Sequence, residues 1–462
     1  MQNMLRPFGW LDVIRLGLVQ ACLGAMVVVA TSTLNRIMVV ELALPALLPG
    51  LLVAFHYLVQ MIRPRLGFGA DRGRRCTPWM MAGMVCLAVG GNVATWATIE
   101  MAQDRPLGIA VCALGFALIG VGVSACGTSL LALMAKRVPQ SHRAPAATTV
   151  WVMMIMGFAV TAFNVGRLID PYSPERLLQV TQGLGVLICA ITAFAVWGLE
   201  PAQPPGVEAS QPTAADADDA PMNRHAFGEA LRSVWQEPQA KCFTVFVFLS
   251  MLAYSTQDLV LEPFAGALFG YSPGQSTQLS GVHHSGVLGG MLLVALAGSR
   301  WVAGRLGSTQ LWMVGGCVGS AVAMAALSLA GWQASGWPLK LNVVALGVAN
   351  GAFSIAAIAT MMRLANASGA QSQGIRMGLW GAAQAIAFGV GNLLGTLLSD
   401  VAHGLLTAPA WSYASVFLVE AVLFLWAARL ALQVGQMDAP PRETATPLNT
   451  AMQRIRHEHS SL

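Results

Sequence analysis

Long apolar runs recur along the chain, at 14–38, 46–62, 78–99, 107–135, 147–168, 178–198, 242–264, 279–298, 309–330, 339–362, 374–398 and 411–433. Each approaches the roughly 20 residues that carry a helix across the hydrocarbon core of a bilayer. In that medium a segment must satisfy its own backbone hydrogen bonds, which a helix does. The runs therefore predict an all-α polytopic membrane protein with twelve transmembrane helices in two six-helix bundles. The second run is the shortest, and it carries His56 near its middle. Composition agrees: 55% of the 462 residues are hydrophobic and 10% are charged. A soluble domain uses roughly 25% charged residues to cover its surface. The run after Arg15 is too long for the apolar core of a cleaved signal, so it is expected to remain as the first span.

Orientation follows from the basic residues. If both termini and every second loop are cytoplasmic, only Arg36, Arg105, Arg167, Arg176 and Lys340 fall on the other side, and 21 of the 26 Lys and Arg are cytoplasmic. One missed span would collapse that bias, which supports an even count. Because topology distributes the basic residues, the net charge of +5 does not point to nucleic acid. The eight cysteines show no metal or disulfide spacing and read as small apolar fillers. Four regions are expected: an N-terminal six-helix bundle over 1–198, a cytoplasmic linker over 199–240, a C-terminal bundle over 241–435, and a disordered cytoplasmic tail over 436–462. The linker, rich in Pro, Ala and Asp, cannot bury a core. Late in it, Phe227, Leu231, Val234 and Trp235 share one helical face. That face suits either a helix on the membrane surface or a plain lead-in to the seventh span.

The halves echo each other. STLNRIMVVELALP near the end of the first span has a counterpart in STQDLVLEPFAG near the end of the seventh. Parallel repeats of this kind suit a carrier-type architecture. The two segments supply a polar cluster for the central cavity: Asn35, Arg36 and Glu41 from one, Gln257, Asp258 and Glu262 from the other. A lone charge in hydrocarbon costs a few kcal/mol, so partners are expected. Arg36 is predicted to pair with Asp258 or Glu262, with anchoring of helix ends at the headgroups as the alternative. Between the second and third spans, Gly67, Asp71, Arg72, Gly73, Arg74 and Arg75 form a tight basic loop. Its glycine spacing and Asp-Arg pair resemble the equivalent loop of the major facilitator superfamily; the plain alternative is a basic cytoplasmic loop.

His56 has Gln60 one turn below on the same helical face. A neutral imidazole is a good metal ligand and an odd group to leave bare in lipid. With His284 these two are candidates to bind a pigment; hydrogen bonding within the bundle is the competing role. His283 and His403 are weaker candidates, and Glu420, mid-span in the twelfth run, has no evident partner. The tenth and fourth spans lack mid-membrane charges of the sort a proton-driven carrier uses. No phosphate loop or protease motif occurs, and no enzyme is expected. The glycines of the eleventh span, including GxxxG at 391–395, suit close packing within the bundle.

The stretch from Phe8 to Trp79, with LNRIMVVEL at its centre, together with AYSTQDLVLEPFAGALFGYSPGQSTQLSGVHHSGVLGGM, resembles the PucC/LhaA family, a bacteriochlorophyll-delivery branch of the major facilitator superfamily. The likeness covers most of residues 8–433. It implies a light-harvesting antenna assembly factor in the cytoplasmic or intracytoplasmic membrane of a phototrophic bacterium. Such a protein would handle bacteriochlorophyll as a transient ligand, or chaperone antenna polypeptides, near chlorophyll synthase, the protein-insertion machinery and membrane lipids. The alternative function is a secondary transporter of a small solute or drug on the same fold.

Overall fold

The computed structural model describes residues 8–62, 75–139, 142–200, 232, 235–298, 308–331, 333, 336–367, 370–406 and 408–438. Its helices are α1 (Trp10–Glu41), α2 (Leu47–Val59), α3 (Thr77–Glu100), α4 (Arg105–Arg137), α5 (Arg143–Leu168), α6 (Pro174–Val196), α7 (Pro238–Phe269), α8 (Pro273–Ala297), α9 (Thr309–Ala330), α10 (Leu339–Ala367), α11 (Ala370–Leu405) and α12 (Pro409–Asp438). Among the described residues eleven helices are long and apolar enough to cross a membrane, and α2 is the shorter apolar one. All twelve coincide with the runs read from the sequence. The far ends of α7 and the start of α8 lie outside the expected limits, at Phe269 and Pro273.

Local chemistry accounts for these boundaries. Helices α3, α4, α6, α7 and α8 carry Pro in the first turn, where its missing N–H leaves nothing unsatisfied. Ser272 accepts from Gln275 N while the Gln275 side chain accepts from Ser272 N, which starts α8 six residues ahead of its apolar run. Asp104, Ser173 and Ser308 cap α4, α6 and α9, each with a single accepted hydrogen bond.

The repeated segments give different irregularities. Past Val28, α1 widens into π-helical turns over Val29–Leu34 and Ile37–Glu41. Helix α7 instead breaks after Asp258 and resumes at Leu261. Pro263 explains the break, because it has no N–H to offer the carbonyl of Leu259 four residues back.

Each half has its own apolar core. One gathers Leu16, Met26 and Phe116; the other gathers Phe243, Phe353, Trp380 and Phe417. A small third cluster, Ile155 with Val287, Met291 and Ile355, joins the halves along α5 and α8. Trp10 and Asp438 lie on one face of the bundle because α1 and α12 are separated by an even number of crossings; we call it the near face. The other end is the far face.

Candidate functional site

Between the halves lies a cavity of about 900 Å³, lined by α1, α2, α4 and α5 from one side and α7, α8, α10 and α11 from the other. That is close to the upper end of ordinary small-molecule pockets, roughly 1,000 Å³. Its lining runs from Ser32 and Glu262 toward the near face, reaching Met134 and Ala147 beside the ends of α4 and α5.

Aromatic rings border the cavity in a continuous chain that crosses both junctions between the halves. His56 meets Tyr57 edge-on at 5.1 Å, and Tyr57 stacks on Phe388 of α11 at 5.8 Å and 16°. Phe388 meets Tyr254 of α7 at 6.0 Å, and Tyr254 lies 6.1 Å from His283 of α8. His283 and His284 are edge-on at 5.2 Å, and His284 returns to the first half through Phe158 of α5 at 4.9 Å. Such rings offer large flat faces at the spacing aromatic pairs prefer. Periodicity could not reveal this belt, because its neighbours come from five separate helices.

The three residues expected to meet a pigment, His56, Gln60 and His284, all line the cavity. Gln60 Nε2 lies 2.7 Å from His56 Nε2, as their placement one turn apart implies. The expected polar cluster, by contrast, divides. Gln257, Asp258 and Glu262 line the cavity, while Asn35, Arg36 and Glu41 lie beyond it toward the far face.

The predicted pairing of Arg36 with Asp258 or Glu262 is corrected by the structure. Arg36 Nη1 instead meets Glu41 Oε1 at 3.1 Å, and Nη2 donates to the Tyr271 carbonyl at 2.9 Å. The widened turns at the end of α1 bring Glu41 within reach of Arg36, five residues before it. The guanidinium lies directly over Gly266 of the opposite half, where a side chain would collide with it. Glu262 takes a hydrogen bond from the Ser32 hydroxyl instead. Thr33 and Thr277 meet across the halves at 3.0 Å, and Asn35 Nδ2 donates to the Leu259 carbonyl at 2.9 Å. That is the carbonyl Pro263 leaves without a helical donor. Together these contacts close the far face. In the adjoining loop, burial and the Glu41 and Glu175 carboxylates push the Tyr172 phenol above its ordinary value of 10.0.

Two carboxylates escaped the sequence reading. Asp400 on α11 accepts from Ala46 N and Leu47 N at 2.8 and 2.7 Å, capping α2 from the other half. Glu200 accepts from Cys76 N and Thr77 N at 3.0 and 2.8 Å, capping α3. Both follow from the affinity of carboxylates for helix N-termini. Neither sits in the local sequence before its helix, where caps are sought. Of the basic loop, Gly67, Asp71, Arg72, Gly73 and Arg74 lie outside the described residues; Arg75 donates to the Glu200 carbonyl at 3.2 Å. Glu420 is fully buried on α12, and neither of its carboxylate oxygens has a hydrogen-bond partner among the described residues.

Two six-helix halves around a central cavity define a multi-pass membrane protein with the major facilitator fold. The fold is shared with a bacterial homologue of the human lysosomal transporter Spinster, solved in an inward-facing, occupied conformation, at a TM-score of 0.64 and 13% identity over 94% of this chain and 98% of that one. A structure from a study of substrate recognition in proton-dependent oligopeptide transporters gives 0.62 and 16% over 92% and 98%.

Within that class the chain belongs to the PUCC protein family, whose pattern matches residues 33–438. It is 45% identical over 426 residues to the "Bacteriochlorophyll synthase 44.5 kDa chain" of Rhodobacter capsulatus, covering 92% of this chain and 96% of the relative. It is 28% identical to "Protein PucC" of Cereibacter sphaeroides, covering 89% of each.

Proposed function

We propose that this protein is a non-enzymatic assembly factor for light-harvesting antennae, which handles bacteriochlorophyll in the membrane and delivers it to antenna polypeptides or chaperones them. The observation that carries this reading is the aromatic belt around a cavity of about 900 Å³. A flat conjugated macrocycle would find stacking partners in both halves. The pigment class comes from the relative named for bacteriochlorophyll synthase. An amphiphilic macrocycle with a long tail already resides in the bilayer, so the scaffold can serve it without pumping. The site would sit in the cytoplasmic or intracytoplasmic membrane of a phototroph. The basic bias then puts the near face in the cytoplasm, where chlorophyll synthase and the insertion machinery would be partners.

The test is purification of the full chain from a pigment-producing host. A near-infrared absorption band on the protein, with antenna polypeptides copurifying, is the expected result. A deletion strain that keeps its normal antenna bands would sink the proposal. A second reading, secondary transport of a small solute, draws on one observation: Asp258 and Glu262 line the cavity, and carboxylates at membrane depth mark ion pathways in carriers. Solute uptake driven by a proton gradient in vesicles would favour it.

A further inference from the structure

Three histidine rings border the cavity, and their nitrogens are not equivalent. His56 Nε2 is engaged by the Gln60 amide at 2.7 Å. His283 Nε2 faces Gln257 Nε2 at 3.1 Å and Asn350 Nδ2 at 3.3 Å. Asn350 is fixed in that orientation, because its carbonyl oxygen accepts from the Ser320 hydroxyl at 2.7 Å. At His283 the anchored Asn350 N–H occupies the Nε2 lone pair, and at His56 the Gln60 amide faces Nε2.

His284 differs. Its Nδ1 lies 2.9 Å from the Ser280 carbonyl, which can only accept, so Nδ1 carries the proton. The Ser280 hydroxyl sits farther from the same nitrogen, at 3.5 Å. In the neutral ring the lone pair is then on Nε2. Among the described residues no hydrogen bond reaches that atom, and the ring faces the cavity. An imidazole whose far N–H is held by a backbone carbonyl is the arrangement found behind metal-ligating histidines. Phe158 of the other half braces the ring edge-on at 4.9 Å and 65°.

We infer that His284 Nε2 is the axial ligand for the central magnesium of a bacteriochlorophyll held in the cavity. Here His56 lines the site without ligating. The inference rests on the pigment-handling function proposed above. Nitrogen-to-magnesium coordination needs no redox or group-transfer step: a ligand already on the metal leaves as the imidazole lone pair takes its place.

Purified full-length protein, titrated in detergent with bacteriochlorophyll a and separately with its metal-free counterpart, bacteriopheophytin a, tests the assignment. Wild type is expected to prefer the magnesium pigment by about tenfold or more, a typical scale for the loss of a metal-site group. Coordination-sensitive resonance Raman bands should report a nitrogen axial ligand. His284→Phe should bind both pigments equally, whereas His56→Phe keeps the preference. Should His284→Phe fail to fold, His284→Gly with added imidazole replaces it; restored preference supports the assignment, and unrestored preference in a folded sample overturns it. A preference that survives in His284→Phe also overturns it. Equal binding of both pigments by wild type removes the axial ligand but leaves pigment handling standing. If neither pigment binds, both fall together.

Discussion

The halves meet along two lateral junctions, and these are built differently. Where α5 meets α8, backbones approach directly: a Cβ on Gly166 would lie 2.6 Å from the Gly274 carbonyl oxygen and 2.7 Å from Gln278 Cγ. Farther along, Ile155 packs on Val287 and Met291. Where α2 meets α11, side chains make the joint. Asp400 holds two backbone N–H groups, Tyr57 stacks on Phe388, and Thr396 fills the space above Gly50. Interlocked backbones cannot separate gradually, because packed interiors lose contacts outright when a gap opens. Side-chain joints can lengthen, rotate and exchange partners. The contrast makes α5–α8 an interlocked spine and α2–α11 a joint built from side chains.

Substitutions break or sharpen that contrast. Gly166→Leu should cost the most, at least about 3 kcal/mol, the upper end for overpacked cores, and equilibrium unfolding in mixed micelles would register it. A variant as stable as wild type would mean the α5–α8 spine is not interlocked. Asp400→Ala removes a charged cap from α2 and should cost about 2 kcal/mol. Asp400→Asn, which keeps one acceptor, should recover part of that loss in the same assay. Gly50→Ala should cost about 1 kcal/mol, toward the low end for an added methyl group, because a single side chain stands in the way. If Gly50→Ala proves costlier than Gly166→Ala, the two junctions have been ranked in the wrong order. Tyr57→Leu keeps apolar bulk but loses the stack on Phe388, worth about 0.5–1.5 kcal/mol; a double-mutant cycle with Phe388→Leu isolates that coupling.

Much of this architecture was legible in the chain. The apolar runs located the twelve helices α1 to α12 because lipid leaves a segment few alternatives to helix. The Ser-Thr repeat singles out the ends of α1 and α7 as the polar segments of the halves, but it carries no sign of the widened turns or the break found there. His56, Gln60 and His284, which line the cavity, stand out in the sequence because polar groups are rare in an apolar run. What stayed hidden depends on the third dimension. Asp400 and Ala46 are far apart in sequence, so no local pattern joins them. Arg36 chose Glu41 over Asp258 and Glu262 because widened turns in α1 altered which residues share a face, and a regular helical wheel does not contain that turn. His284 and His56 differ in their hydrogen-bond partners, Ser280 for one and Gln60 for the other, and a sequence does not display that difference.

One contact at the far face carries a mechanical consequence. Pro263 deprives the Leu259 carbonyl of its helical donor, and Asn35 of the opposite half replaces it at 2.9 Å. Parting the halves there would give up that hydrogen bond to water, a net loss of about 0.5–1.5 kcal/mol. The kink thus acts as a latch, with its bolt on one half and its keeper on the other, biasing the molecule toward the state in which that end stays shut.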